Sequence, residues 1–493
     1  EIDLVRALYD RDGVESTPPH VPLVDPFEEN TPMADLNEMV NLIVSVHQPF
    51  MVELGLPERV YDHDPDTEMP QLLQLLAVQG APESQRLSEA LYRAFNILAG
   101  DQHEIGHFID NDDDTFALYR LRLHGDFHFG SHVRVFAEGK SALATDTDLA
   151  GRREASDVDE LDLQNAFIDL SFPLTDDCAV TLRGGRQELS FGARRLVSPL
   201  DWANTRRTFE GYSAIFKFSS WNVTGFWSRP VLVDRYHFNV GDADTEFFGV
   251  YGTTRLESIR GGIDLYWFGL DRGNVTFNGT TGTEERSTIG TRVWGKIMEM
   301  PVIYQFETAY QFGDIGAEND IGSGSIDAYM FASQIGYRFL TVYGAPQVFL
   351  GFDYASGDNQ AGGDVETFNQ LFPLGHRYYG YYDAVGRQNA VDIRPGVTAT
   401  LFEKLWVKLD FHFFSRADSA DALYNAGGNV VRAGNLGSSK EIAQELDLLA
   451  RYNYNRHIQI LFGYSHVFAG EFLEQSGAAE DIDFIYLQFQ YTF

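Results

Sequence analysis

The stretch TFALYRLRLHGDFHFG, residues 115–130, alternates. Tyr119, Leu121, Leu123, Phe127 and Phe129 fall on one face of an extended chain, and Arg120, Arg122, His124, Asp126 and His128 on the other. A period of two is the signature of a strand with one apolar and one polar side. SHVRVFAEGKSAL repeats it, with Val133, Val135 and Ala137 opposite Arg134, Glu138 and Lys140. The last segment, DFIYLQFQYTF, sets Ile485, Leu487, Phe489, Tyr491 and Phe493 against Gln488, Gln490 and Thr492.

Such segments recur to the end of the chain. The pattern predicts strands near 95–109, 115–129, 131–145, 157–172, 178–189, 207–219, 221–231, 245–256 and 260–271. It continues near 284–298, 300–314, 325–340, 346–357, 388–401, 404–417, 440–453, 456–470 and 480–493, giving about eighteen strands. Tight connections such as FGSH and YNRH alternate with long, polar, glycine-rich ones. The expected fold class is all-β, a transmembrane antiparallel β-barrel with apolar faces toward lipid and polar faces toward a lumen. Only a closed sheet crosses lipid without orphaned backbone groups. A soluble sandwich would not need so many strands with one uniformly polar face.

No apolar run approaches the length of a membrane helix, which leaves a barrel open. The net charge of −35, from 37 basic and 72 acidic residues, argues against nucleic acid as a partner. With Cys178 as the single cysteine, neither an intramolecular disulfide nor a cysteine zinc site can form. The opening EIDLVRALYD has no basic n-region and no apolar h-region, so either a signal was removed or none is expected.

Composition changes near residue 94. Residues 1–94 hold ten of the 17 prolines, three of the 46 glycines, five arginines and no lysine. Leu36, Met39, Val40, Ile43, Val44 and His47 follow helical spacing, as do Leu87, Ala90, Leu91, Ala94 and Phe95. A short helical, proline-rich extension is expected there, with the barrel at 95–493.

HEIGH, residues 103–107, matches the zinc-protease pattern H-E-x-x-H, which works only on a helix, where i and i+4 share a face. Read as the first strand, the segment puts His103 and His107 on one face and Glu104 on the other. The metal ligands and the base then part company, so the two histidines are set aside as a metal site. No G-x-S-x-G and no nucleotide-binding loop is visible, so neither an enzyme nor a cofactor is expected.

The basic cluster is more informative. Within LRGGRQELSFGARRLVSPLDWANTRRTFEG, residues 183–207 carry Arg183, Arg186, Arg194, Arg195, Arg206 and Arg207 against only Glu188 and Asp201. On a barrel wall or an inward loop these arginines would form a positive constriction, and guanidinium suits carboxylates through bidentate bonding. The alternative is a solvated loop whose arginines pair with nearby acids.

TLRGGRQELSFGARRLVS…NTRRTFEG resembles the hallmark stretch of the alginate export porin family. FDYASGD…TFNQLFP, YYDAVGRQN…DIRPGV and QELDLLARYNYNRHIQILFGYSHVFAGEF are similar to its later segments, and YRLRLHGDF with DVDELDLQNAFIDL to its early strands. The resemblance covers roughly 95–493. It implies an eighteen-stranded channel in the outer membrane of a Gram-negative bacterium, passing a polyuronate or small anions through an arginine-rich pore. Position by position, Arg183 and Arg186 match the strand motif, Arg206 and Arg207 the following pair, and Arg394 the RPG motif. With Arg194 and Arg195 from the cluster, and Arg120, Arg122, Arg134 and Lys140 from alternation, these are the expected pore-lining residues. Asp162, Glu445 and Asp447 face the same way, so the lumen is mixed.

The expected partners are anionic polysaccharide or small anionic solute and outer-membrane lipid, with a general or solute-specific uptake porin as the alternative function. Residues 1–94 depart from the family pattern. They suit a pore plug, a dock for a periplasmic partner or a tether to peptidoglycan. For the plug, deleting 1–94 raises single-channel conductance in planar bilayers; unchanged conductance and gating rule it out.

Overall fold

A computed structural model of the chain describes residues 96–101, 115–145, 156–277, 280–297, 300–316, 324–360 and 362–493. The chain divides into two units, Glu1–Arg93 and Ala94–Phe493. The described residues all belong to the second. His103, His107 and the expected helical extension lie outside them.

Eighteen strands build the wall. They are β1 Asn96–Asp101, β2 Thr115–Phe129, β3 Val133–Thr145, β4 Asp159–Thr175, β5 Cys178–Gln187 and β6 Phe209–Phe218. Next come β7 Trp221–Leu232, β8 Thr245–Leu256, β9 Gly261–Phe277, β10 Thr280–Lys296, β11 Val302–Gly316 and β12 Gly324–Arg338. The last are β13 Gln347–Ala355, β14 Ala390–Leu401, β15 Leu405–Arg416, β16 Glu441–Asn453, β17 Ile458–Ala469 and β18 Ile482–Tyr491. Each pairs antiparallel with its sequence neighbours. β1 pairs with β2 on one edge and with β18 on the other, so the sheet returns on itself. A ring of this size leaves an aqueous bore.

Most strand ends fall within about three residues of the alternation pattern. The expected end of the first strand, near 109, lies outside the described residues; among the others the exception is the β9–β10 hairpin, where Phe277 pairs with Thr280 although the strands were expected to stop near 271 and start near 284. DRGNVTFNGTTGTEER is rich in Gly, Asn and Thr and reads as a loop. A two-stranded ribbon in water needs no apolar face, so it leaves no such signal.

Connections at one end of the ring are short; the other end carries the long ones, 188–208, 356–389 and 417–440 among them, together with the tight β9–β10 turn. On the outer surface Leu163, Ile168, Leu265, Trp267, Ile289, Phe331, Leu350, Phe413, Leu448, Ile485 and Leu487 are exposed, an apolar belt of the kind hydrocarbon requires. The inner surface departs from the expectation of a uniformly polar face. Toward the long-loop end it is apolar and covered: Phe209, Phe226, Phe247 and Phe268 pack with Leu196, Val197 and Phe368. A second cluster joins Tyr379, Tyr382 and Val385 to Phe414, Phe484, Tyr486 and the short helix Glu471–Ser476. The long loops fold into the bore, and the wall beneath them turns apolar to seat them.

Two loops, 188–208 and 356–389, are joined there. Phe372 N donates to Leu196 O, Ser198 N to Phe372 O and Leu374 N to Arg194 O, and Val197 bridges Phe372 in parallel. Gly380, at φ +84°, lies where a Cβ would strike the Glu445 carboxylate at 2.2 Å, so glycine lets loop 356–389 press against β16.

If the outer belt meets hydrocarbon, Ile289→Arg, midway along β10, costs about 2–4 kcal/mol in urea titrations of the protein refolded into vesicles. Ile289→Leu changes the midpoint little. Equal midpoints would mean that this face is not lipid-exposed.

Candidate functional site: a charged bar across the bore

Loop 188–208 leaves β5 and returns to β6, but between them it reaches both walls. Arg195 Nη1 donates to Glu307 Oε2 on β11 at 2.8 Å, both side chains buried. On the other side, Arg120 Nη1 on β2 donates to Ala203 O at 2.8 Å, and Lys140 Nζ on β3 to Thr205 O at 2.5 Å. Asn204 Nδ2 donates to the carbonyls of Tyr119, Leu143 and Asp157. β2 and β11 stand nine places apart in a ring of eighteen, so the loop is a bar between opposite walls.

Within the bar, Asp201 sits between two arginines. Arg194 Nη1 donates to its Oδ2 at 2.5 Å, and Arg206 Nη1 to its Oδ1. Arg206 also donates to both oxygens of Glu188, with Nη2–Oε2 at 2.7 Å. Burial raises the Asp201 carboxyl, but Arg206, Arg194 and Arg120 outweigh it and hold the group well below the usual carboxylate range. Glu188 is lowered in the same way: burial opposes, and Arg206 and Arg122 prevail. Arg207 has no carboxylate partner among the described residues. It donates to Ser198 O and Pro373 O at 3.3 Å each, and burial pulls its guanidinium down to about 10.

Asp201 is surrounded by protein on nearly every side, yet 41% of its side chain is reached by solvent. A group enclosed and wet at once faces an internal water space. Solvent also reaches 20% of the Glu188 side chain and 25% of that of Arg194.

The wall β2–β6 holds the other expected arginines, and the structure pairs them. Arg122 Nε meets Glu138 at 2.7 Å. Arg134 bonds Asp126 at 2.7 Å and Asp169 at 3.4 Å. Arg183 forks onto Asp169 at 2.7 and 2.8 Å, its guanidinium 3.7 Å from the Phe167 ring centre. Lys140 meets Asp159 at 2.9 Å. Arg186, half-buried at the long-loop end of β5, bonds Asp162, Glu210 and the carbonyl of Asn239. Between 183 and 207 only Glu188 and Asp201 oppose the cluster along the sequence, but Glu210 follows on β6, and strands from elsewhere supply Asp162, Asp169 and Glu307.

The opposite wall holds a group of which the sequence points only to Arg195 and Arg394. Four guanidinium groups surround the Tyr378 ring: Arg195 at 4.5 Å, Arg377 at 5.6 Å, Arg387 at 5.8 Å and Arg394 at 5.9 Å. Burial raises the Tyr378 hydroxyl, but Arg377 and Arg195 outweigh it, and the group lies below the usual tyrosine range. The hydroxyl donates to Ala193 O at 2.6 Å, binding the two loops. Arg387 pairs with Asp353 at 2.5 Å, and Arg394 lies 3.7 Å from Asp410 and donates to Arg377 O. Lys408 holds Asp410 at 2.6 Å and lies 4.9 Å from the Tyr381 ring centre.

Arg377 differs from the rest. It is exposed, and no carboxylate contacts its guanidinium among the described residues. Its carbonyl is fixed to Arg394, four residues below the long-loop end of β14, so it lies inside the ring and the water it meets is that of the bore. The RPG motif singles out Arg394, but Arg377 and Arg387 sit in a loop, where no periodicity marks direction. Among the described residues no group of His, Cys, Asp and Glu is arranged to hold a metal ion.

Comparison with known proteins agrees with this architecture. No curated protein matches the sequence. The fold is similar to that of Acinetobacter baumannii OccAB2, with a TM-score of 0.52, 10% identity, and 81% of this chain and 96% of that chain covered. Pseudomonas aeruginosa OccK11 (OpdR) gives 0.51, 12%, 80% and 93%, and P. aeruginosa OpdO gives 0.51, 13%, 80% and 94%. At such identities the likeness is one of fold. The profile of the family described as "Alginate export" matches residues 101–484, most of the chain. The chain therefore belongs to the alginate export family, and it is an outer-membrane β-barrel channel of a Gram-negative bacterium.

Proposed function

We propose that this channel passes carboxylate-bearing anions, with uronate polymers or their fragments as the substrate class. The observation that carries this reading is Arg377, a bore-facing guanidinium without a carboxylate, set beside Arg195, Arg387 and Arg394 around one tyrosine. Elsewhere in the lumen positive charge is largely cancelled by paired acids. An uncancelled charge in a narrow, low-dielectric passage biases the local potential more than many cancelled ones. Repeated weak guanidinium–carboxylate contacts let an anion enter and leave without being trapped.

Each surface contributes to that task. The bar narrows the bore, the Tyr378 group supplies positive potential, and the paired arginines of β2–β6 form a polar, hydrated wall. No residue is asked to make or break a bond; the energy comes from a gradient or from machinery elsewhere.

A second reading, a solute-specific uptake porin with loop-determined selectivity, is favoured by the bar itself. A bore divided by a loop anchored on both walls suits small solutes better than a wide, empty one. Conductance block by galacturonate monomers and by oligouronates of increasing length separates the two, since block that strengthens with chain length supports a polymer path.

Arg377→Gln is expected to lower the chloride-over-potassium permeability ratio about fivefold, the effect of ~1 kcal/mol on one permeating charge, read from reversal potentials in a KCl gradient. An unchanged ratio would remove the basis for the anion reading.

A further inference from the structure

We infer that Arg194, Arg206 and Arg120 form a second carboxylate site, which the protein's own Asp201 occupies in this conformation and from which a permeating carboxylate displaces it. The inference rests on the anion-channel reading and deepens it by placing a binding step in the bar.

Geometry supplies the first part. Both Asp201 oxygens are taken by guanidinium groups, Oδ2 by Arg194 at 2.5 Å and Oδ1 by Arg206. Arg120 closes the third side through the carbonyls of Ala203 and Asp201, at 2.8 and 3.3 Å. This is how a protein grips a bound carboxylate: one N–H from each of two guanidinium groups on its two oxygens, and a third cation behind. Here the ligand is tethered to the chain.

Access supplies the second part. A carboxylate held only for structure is normally dry, as Glu307 is beneath Arg195, where 6% of the side chain is exposed. Asp201 is 41% exposed on the water of the bore, so a mobile anion reaches the same guanidinium groups.

The backbone supplies the third. Arg194 at φ 61°, Leu200 at φ 52° and Arg206 at φ 54° all adopt the left-handed region without being glycine. Two of these three are the clasping arginines, and Leu200 adjoins Asp201. The strain is concentrated where the internal ligand is presented, and clustering of that kind marks clamps and switches. Release of Asp201 gives the segment freedom to relax. The ends of the bar stay fixed, because Arg195–Glu307 on one side and Asn204 on the other do not involve Asp201.

Charge accounts for the consequence. Arg120, Arg122, Arg194 and Arg206 face Asp201, Glu188 and Glu138. While Asp201 is seated the group is nearly neutral. Once an incoming carboxylate takes its place, Asp201 adds negative charge to the bore and competes to return. The site therefore binds weakly and releases readily, as conduction demands.

The test uses the full chain in planar bilayers, with sodium galacturonate added to KCl as the probe and block of single-channel current as the readout. In Asp201→Asn the internal competitor loses its charge, and half-block is expected at a roughly tenfold lower galacturonate concentration. Asp201→Glu restores the competitor and is expected to match the unmodified channel. Equal block in Asp201→Asn and the unmodified channel overturns the inference. If Asp201→Asn does not insert, Arg194→Gln carries the test: weaker block than in the unmodified channel supports the site, and equal block overturns it. The Arg377→Gln permeability ratio, measured in the same bilayers, keeps the two claims apart. If that ratio falls while Asp201→Asn changes nothing, only the Asp201 assignment fails.

Discussion

Hydrocarbon offers no partner to a backbone amide, and every other feature of this molecule follows from that. A strand in lipid must find both neighbours, so the sheet must close. β1 meets β18, and the ring is complete. Once closed, each strand shows alternate residues to lipid and to water, and the sequence must alternate with them. The ring also fixes a bore whose contents are chosen by the inward half of each strand and by loops long enough to fold back inside.

What fills the bore reflects the cost of charge away from bulk water. An unpaired buried ion is expensive, whereas a pair with well-placed hydrogen bonds is tolerated. Arg183 on Asp169, Arg195 on Glu307 and Arg387 on Asp353 follow that rule. The arginine content of the lumen is therefore a poor measure of its potential, since nearly every guanidinium arrives with its acid. The exceptions, Arg377 among them, are groups whose charge solvent rather than a carboxylate stabilises.

The division between what could be read in the chain and what could not has the same origin. The strands were legible because lipid and water impose a period of two; the edges of β2, β8 and β16 sit where the alternation stops. Arg120, Arg122, Arg134 and Lys140 were legible as inward-facing by the same rule. The hairpin extension of β9 and β10 was not, since outside the lipid neither face has to be apolar. Nor was the bar. TLRGGRQELSFGARRLVSPLDWANTRRTFEG shows an excess of arginine, but Asp169 and Glu307 are brought to it only by the folded ring. Arg377 and Arg387 were invisible for a related reason: loop residues carry no periodicity, and their direction is set by Tyr378 and Arg394 after folding.

The bar also imposes an order on assembly. The Arg120–Ala203 bond joins residues 83 apart, Arg195–Glu307 residues 112 apart, and Tyr378–Ala193 residues 185 apart. Contacts of such separation form late, because long chain segments must already be placed before they are rewarded. The wall strands, apart from the β1–β18 closure, need only the next in line. The bar therefore seats in a barrel whose far wall already stands, and the newly inserted protein passes through a stage with a wider, unguarded opening. Cells that insert this protein must tolerate, or screen, a brief leak through it.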